Sequence, residues 1–313
     1  MMSKILDFIL DKRTPPHLLP SFIHNGQVKK MVSKCFENRD LKVSITFDVE
    51  QNFGSMGDGN LTHLNEFIQD LKKNEYSTTL FIQGSIMSGI KENVIEMLDR
   101  HEIGMHGYNH EMWGNEVWFL KDKPISLEEK EKLFVKYLGE LKDYGIYKPK
   151  SFRAPNMLIN METINLLDRF GFELDSSASS FREISIPKTI NGTKIMAVPV
   201  SVDPIIKFKL KSFVPSSYYT VFNTKNLTFM GNENFIKSVM NIMCFQEHFS
   251  IPHHIVLLAH SWEFTDWKIR GFEYCSEENY KIFKNLTKEL EKHFDVEYLK
   301  MSELKDAIQK YKL

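Results

Sequence analysis

The stretch 42-KVSITFDVE-50 begins the regular part of this chain. Its first six residues alternate and are rich in β-branched side chains, which predicts a strand. That strand ends in two carboxylates, Asp48 and Glu50, which lie two residues apart and therefore point to the same face of the chain. A pair of solvated acids would also fit this place, so the stretch by itself predicts a strand that ends at a candidate site.

Strand and helix patterns alternate on the C-terminal side of this stretch. Strands are predicted over 77–82, 101–105, 151–153, 255–258 and 296–299. Amphipathic helices are predicted over 62–74, 92–100, 127–144, 161–170 and 277–293, with a closing helix from Ser302. Such alternation is typical of a parallel sheet with helices packed outside it, so we expect an α/β protein with one large domain.

Two regions fall outside this alternation. Residues 1–40 contain Pro15, Pro16 and Pro20, and we expect them to form a short helical extension. Residues 181–250 contain several prolines and strand-like runs, which predicts an insertion of loops and hairpins. The domain therefore spans 41–313, with the insertion at about 181–250.

Composition excludes several partners. Lys plus Arg number 40 against 41 Asp plus Glu, so no net positive field attracts nucleic acid. No run of about 18 apolar residues predicts a membrane span, and Asp7 and Asp11 interrupt the apolar residues at the start. The three cysteines lie far apart without a CxxC spacing, which favours free thiols in a reducing compartment. We therefore expect a cytoplasmic protein.

Other chemically able residues follow the predicted strands. His106 and His110 are four residues apart, a spacing that lets two imidazoles bind one divalent ion. Arg153 follows a strand and would keep Asp48 ionised and oriented. His260 ends an apolar strand, where a barrel presents its reacting groups. Each of these residues, taken alone, also fits a structural role.

Taken together and in this order, these segments resemble the NodB-homology polysaccharide deacetylases, which are carbohydrate esterase family 4. Residues 46–50 are similar to the family's first motif, usually Thr-Phe-Asp-Asp-Gly, in a subgroup form with Asp-Val-Glu. His106 and His110 are similar to its His-x-x-x-His motif, within the run 101-HEIGMHGYNH-110. Arg153-Ala-Pro and His260 are similar to later motifs, and the likeness covers about residues 41–313.

The resemblance implies a distorted (β/α)₇ barrel, similar to a TIM barrel, and an enzyme that hydrolyses amide bonds. It implies a divalent metal ion, zinc first and cobalt, nickel or iron as alternatives, with the ligands Glu50, His106 and His110. The substrate that it implies is an N-acetylated saccharide or glycan precursor, from which acetate is released.

The resemblance also implies the catalytic roles. Asp48 takes the proton of the attacking water, and Arg153 keeps Asp48 charged. His260, oriented by Asp175, protonates the departing amine. For substrate contacts we expect Trp262, Asn156 and Tyr108, with a backbone N–H at Asn156 as an oxyanion donor.

Two other functions stay open at this point. Some relatives with altered first motifs hydrolyse cyclic amides without a metal, so a metal-independent ureide hydrolase is one alternative. A non-catalytic sugar-binding module is the other. The presence of Asp48, His106, His110, Arg153 and His260 together argues against it, because a decayed site would have lost at least one of them.

Overall fold

The structure is a computed structural model of the 313-residue chain. It describes residues 26–32, 38–50, 66, 69–70, 72–74, 76–90, 95, 100–116, 122–177, 186–205, 208–209, 212–215, 224–264, 267–269, 272–274 and 276–311. Most of the predicted extension 1–40 and parts of the predicted helices 62–74 and 92–100 lie outside these ranges. Residues 26–32 are helical.

A single curled sheet forms the centre of the protein. Its strands are β1 (Asp40–Val49), β2 (Thr78–Ile82), β3 (Glu102–Met105), β4 (Ser151–Phe152), β5 (Leu174–Asp175), β6 (Lys188–Thr189), β7 (Met196–Ala197), β10 (His254–His260) and β13 (Asp295–Tyr298). The order is β10-β1-β2-β3-β4-β5-β7-β6, and β13 also pairs with β1. All of these pairs are parallel except β6 with β7.

Beyond β7 the chain reaches β10, the strand at the other end of the strand order. The Ser201 N–H donates to the Val256 carbonyl on β10 at 3.0 Å, and the Val256 N–H donates to the Ser201 hydroxyl at 2.8 Å. The sheet therefore curls back on itself, with helices on its outer side. This arrangement confirms the predicted α/β class and the distorted (β/α) barrel.

Five helices of the described chain accompany the sheet: α1 (Leu127–Asp143), α2 (Met161–Arg169), α3 (Thr224–His248), α4 (Ser276–His293) and α5 (Met301–Gln309). Local signals set the ends of α1 and α2. Ser126 and Asn160 are their N-caps, whose side chains accept from the backbone N–H three residues later. Gly145 and Gly171 follow them at φ of 81° and 80°, a conformation that glycine adopts without strain.

Strand β1 pairs with β10, β2 and β13 and is buried on both faces. Val43, Ile45 and Phe47 belong to the main apolar core, and Phe47 packs edge-on against Phe264 at 5.9 Å between ring centroids. Ser44, Thr46 and Asp48, which alternate with these apolar residues, are buried as well, so the polar face of the strand is also enclosed. The packed strand therefore fixes the backbone that carries Asp48 and Glu50.

The predicted insertion at about 181–250 needs correction. Strand β7 lies within that range, yet it pairs in parallel with β5 as part of the main sheet. The range also contains α3, whose helical backbone is interrupted at Gly231, and the hairpin of β8 (Phe208–Lys209) with β9 (Ser212–Pro215). The prediction of loops and hairpins alone is wrong, because prolines before and after β7 hid its place in the sheet.

A second small hairpin, β11 (Trp267–Ile269) with β12 (Phe272–Tyr274), follows β10.

Among the described helices, none combines the length and the apolar character needed to cross a membrane.

Candidate active site and metal centre

The candidate site lies where β1 and β10 end. The two strands run in parallel, and their register sets Asp48 beside His260. The 211 or so residues between the two segments are bridged by the sheet itself, which explains how side chains so distant in sequence meet. The register therefore brings together the residue that we expect to accept a proton and the one that we expect to donate one.

Asp48 is buried against Arg153. Nη1 of Arg153 lies 2.8 Å from Oδ1 of Asp48, and neither side chain is more than 3% exposed. The guanidinium also donates to the Thr46 hydroxyl and to the Ser176 carbonyl and hydroxyl, and it lies over the ring of Phe81. These hydrogen bonds fix the guanidinium, and its bond to Asp48 orients the carboxylate.

The other oxygen of Asp48 faces two histidines. Oδ2 lies 3.9 Å from Nε2 of His106 and 3.9 Å from Nε2 of His260. These separations are beyond a direct hydrogen bond. One carboxylate oxygen is therefore held by arginine, and the second is directed into the site.

Glu50, His106 and His110 form a compact cluster beside Asp48. Oε2 of Glu50 lies 3.1 Å from Nε2 of His106 and 3.0 Å from Nε2 of His110. The ligand atoms of the three residues all lie within 4.8 Å of one another, close enough to hold one metal ion. Burial alone would raise the pKa of Glu50, but hydrogen bonds from the two histidines and the charges of His260 and His106 hold that pKa well below its usual value.

The donor set suits a divalent ion of the zinc class. The ring of His106 donates from Nδ1 to the Arg153 carbonyl at 2.9 Å, which leaves Nε2 directed at the cluster. Such a hydrogen bond on the far nitrogen is the usual arrangement of a metal-ligating histidine. Two imidazoles and one carboxylate, with room for a water, are typical of catalytic zinc sites.

A tight turn brings His110 to the cluster. Gly107 has a φ of +67°, and a Cβ there would lie 2.8 Å from Nε1 of Trp113. The carboxylate of Glu111 accepts the backbone N–H groups of Tyr108 and Asn109, each at 2.9 Å. His110 itself has a φ of 64°. Backbone strain of this kind persists only where neighbouring contacts enforce it, as they do here.

His260 is oriented by Glu263. Its Nδ1–H donates to Oε1 of Glu263 at 2.8 Å, and the same oxygen accepts the His260 backbone N–H at 3.0 Å. Burial lowers the pKa of His260, but the hydrogen bond to Glu263 and the charges of Glu50, Glu263 and Asp48 outweigh burial and raise the pKa to about 9. At neutral pH the ring is therefore protonated and able to donate a proton.

The prediction that Asp175 orients His260 is wrong. Asp175 instead accepts from the backbone N–H and the hydroxyl of Ser177. Burial raises its pKa to about 6, although these hydrogen bonds and the charge of Arg153 counteract part of the rise. The carboxylate on His260 comes from Glu263, three residues further along the same segment.

The three predicted substrate contacts differ in their surroundings. Tyr108 does not fit the prediction, because its hydroxyl donates to Glu140 on α1 and its ring packs against Gly84. Asn156 is exposed in a short turn after Arg153, with a φ of 55°, and substrate contact there stays a prediction. The ring of Trp262 stacks on His260, with centroids 4.6 Å apart.

Among the other tryptophans, the structure describes the whole side chain of Trp113 alone. Trp113 is fully buried and packs against Phe134 and Phe152 as a core residue. Trp118 and the side chain of Trp267 lie outside what the structure describes.

Sequence reasoning missed Glu263, Glu111 and Ser176. A signal for Glu263 was present, because 260-HSWE-263 places an acid three residues after the histidine, within reach over one turn. Ser176 carried no such signal, since its contact with Arg153 depends on the neighbouring strand.

The sequence and the fold are similar to those of known proteins. Residues 37–174 match the family model described as polysaccharide deacetylase. The fold is similar to that of a candidate polysaccharide deacetylase from Mycobacterium smegmatis, with a TM-score of 0.58, 19% identity, and coverage of 88% of this chain and 93% of that one. It is also similar to an allantoinase, with a TM-score of 0.57, 12% identity, and coverage of 87% and 91%. No curated protein matches the chain in sequence.

Proposed function

We propose a function for this chain on the premise that it belongs to the polysaccharide deacetylase family, whose model matches residues 37–174. It is accordingly a hydrolase that acts on amide bonds. The reaction that we propose is removal of an N-acetyl group from an amino sugar in a saccharide or glycan precursor, with release of acetate. The observation that carries the proposal is the meeting of the Glu50–His106–His110 cluster with Asp48 and His260 at one end of the sheet.

The three residues of the cluster would hold one divalent ion, for which zinc is the best candidate and cobalt, nickel or iron are alternatives. Such an ion supplies Lewis acidity to the acyl carbonyl and lowers the pKa of a water.

Asp48 is the proposed general base. Its Oδ2 is directed into the site, while Oδ1 is held by Arg153 at 2.8 Å. As the water oxygen bonds to the acetyl carbon, Oδ2 accepts the proton that the water loses. Because Arg153 fixes the carboxylate, no reorientation is required at that moment.

His260 is the proposed general acid. The carbon–nitrogen bond breaks as Nε2 of His260 gives its proton to the amine nitrogen, and the products are acetate and a free amino sugar. Glu263 fixes the tautomer of the ring through Nδ1 and so leaves Nε2 on the side of Asp48. Trp262 and Asn156 remain the proposed substrate contacts, and the range of about 181–250 is proposed to influence substrate preference.

An acetate-release screen over N-acetylated sugars tests the proposal. We expect release by the purified protein, loss of release on treatment with a chelator, and recovery when zinc or cobalt is added. Release that continues undiminished in the chelator would contradict the metal-assisted reaction. Absence of acetate release from every N-acetylated sugar would contradict the proposed substrate class.

A metal-independent hydrolase of cyclic amides is the second candidate. The similarity of the fold to an allantoinase favours keeping it. Ring opening of a ureide by metal-free protein would support this alternative, and the same screen includes it when ureides are added. A non-catalytic sugar-binding module would release no acetate and open no ring.

A further inference from the structure

The segment after β10 is folded onto Glu50. It forms a short 3₁₀ helix, Ser261–Phe264. The Glu50 N–H donates to the Ser261 hydroxyl at 3.2 Å, and that hydroxyl lies 3.1 Å from the Glu50 carbonyl, to which it can donate. The backbone of Glu50 is therefore hydrogen-bonded to this helix.

The side chain of Glu50 is joined to the same helix by Trp262. The indole Nε1–H donates to Oε1 of Glu50 at 2.9 Å. The other oxygen, Oε2, lies within 3.1 Å of both histidine nitrogens of the cluster. The two oxygens of one carboxylate thus have separate partners, an indole for Oε1 and the two imidazoles for Oε2.

This division matters because glutamate is long. It has one more rotatable bond than aspartate, so a free glutamate loses more conformational entropy when it is held in one position. A hydrogen bond to the oxygen that does not bind the ion restricts this freedom. Partners that orient ligand side chains in this way commonly change metal affinity about 10–100-fold when removed.

We infer that Trp262 is a positioning residue for Glu50: its indole N–H occupies Oε1, so that Glu50 offers only Oε2 to a divalent ion. The inference rests on the metal site of the proposed function. It gives Trp262 a role that is separate from substrate contact, and it explains how a glutamate serves at this position of the first motif.

Metal affinity tests the inference without any substrate. Metal-free protein is titrated with zinc and, separately, with cobalt, and binding is followed by calorimetry. We expect Trp262→Phe, which keeps the ring and removes the N–H, to weaken binding about 10–100-fold. Glu50→Asp should also weaken binding. In the Glu50→Asp variant, Trp262→Phe should weaken metal binding by less than about a further twofold, because the shorter aspartate cannot reach both the indole and the histidines.

Tyr76→Phe is the matched control. Its hydroxyl donates to the carboxylate of Glu291 on α4, so the substitution also removes a hydrogen bond from an aromatic side chain to a glutamate. We expect this variant to bind zinc as the wild type does. Equal zinc affinity in the wild type and Trp262→Phe, or effects of Trp262→Phe and Glu50→Asp that add in full, would overturn the inference while leaving the proposed function intact. A wild-type chain that binds neither metal would overturn both.

A second measurement needs no change at position 262. Hydrogen exchange of the Trp262 indole N–H, followed by NMR in metal-free protein, should be at least about tenfold faster in Glu50→Ala than in the wild type, because the charged acceptor is gone. Unchanged exchange would show that Oε1 does not hold the indole, and would overturn the inference even if Trp262→Phe failed to fold.

Discussion

Arg153 and Asp48 form an ion pair that is closed off from solvent, with 2.8 Å between Nη1 and Oδ1. Burying two charges carries a desolvation cost that their attraction offsets only when the remaining hydrogen-bonding groups also find partners. Thr46 and Ser176 provide such partners for the guanidinium. The two charges therefore stabilise each other, and removal of one side chain leaves the other charge buried without its partner.

Arg153→Met is expected to lower the free energy of unfolding by about 3–5 kcal/mol, because Asp48 would remain buried without its counter-charge. Arg169→Met is the control, since Arg169 pairs with Glu131 at the surface, where an ion pair contributes at most about 1 kcal/mol. Urea unfolding of both variants measures the difference. Similar losses in the two variants would contradict the importance given to the buried pair.

Asp48→Asn is expected to reduce acetate release about 10²–10⁴-fold while the chain stays folded. The amide keeps an oxygen for Arg153 but is a poor proton acceptor. Initial rates under saturating metal measure the effect, and Asp143→Asn, an exposed change on α1, is the control that should behave as wild type. Turnover at the wild-type rate in Asp48→Asn would show that another group is the base.

Glu263→Gln is expected to move the alkaline limb of the pH–rate profile to lower pH. Hydrogen bonding and charge from Glu263 help to raise the pKa of His260 to about 9. The protonated ring, which is the form that donates, is therefore lost above that pH in the wild type and at lower pH in the variant. Asp175→Asn, which removes the residue first expected to orient His260, should leave this limb in place. A shift in Asp175→Asn alone would reverse the assignment.

Asp175 is expected to make stability depend on pH. Its pKa is raised from 3.8 to about 6 in the folded chain, so its contribution is fully present below about pH 4 and is lost as the pH rises through 6. The shift corresponds to about 3 kcal/mol. Relative to wild type, Asp175→Asn should therefore be more stable at about pH 7 than at about pH 4. Urea unfolding at the two pH values measures this change, and an equal difference at both would contradict it.

The regular elements could be predicted from sequence because their signals are local. The helix predicted over 161–170 is Met161–Arg169, and its cap and its terminal glycine lie within a few residues of it. Strand β7 could not be predicted in this way, since its two residues, Met196 and Ala197, carry no local strand pattern of their own. Its place depends on β5, a neighbour more than 20 residues away in the chain.

At the candidate site, too, sequence predicts where residues lie along the chain but not every contact between them. Positions at strand ends could be predicted for Asp48, Arg153 and His260, because the ends of parallel strands meet at one rim. Which carboxylate reaches His260 depends on side-chain directions in the turn Ser261–Phe264. Likewise, the hydroxyl of Tyr108 donates to Glu140 on α1 and so lies away from the candidate site. Both depend on packing that spacing does not encode.

The backbone carbonyl of Arg153 has one further consequence. It accepts the Nδ1–H of His106, while the guanidinium of the same residue holds Asp48. One residue thus contacts both Asp48, the proposed general base, and His106 of the Glu50–His106–His110 cluster. A substitution that shifts Arg153 would therefore disturb both contacts at once.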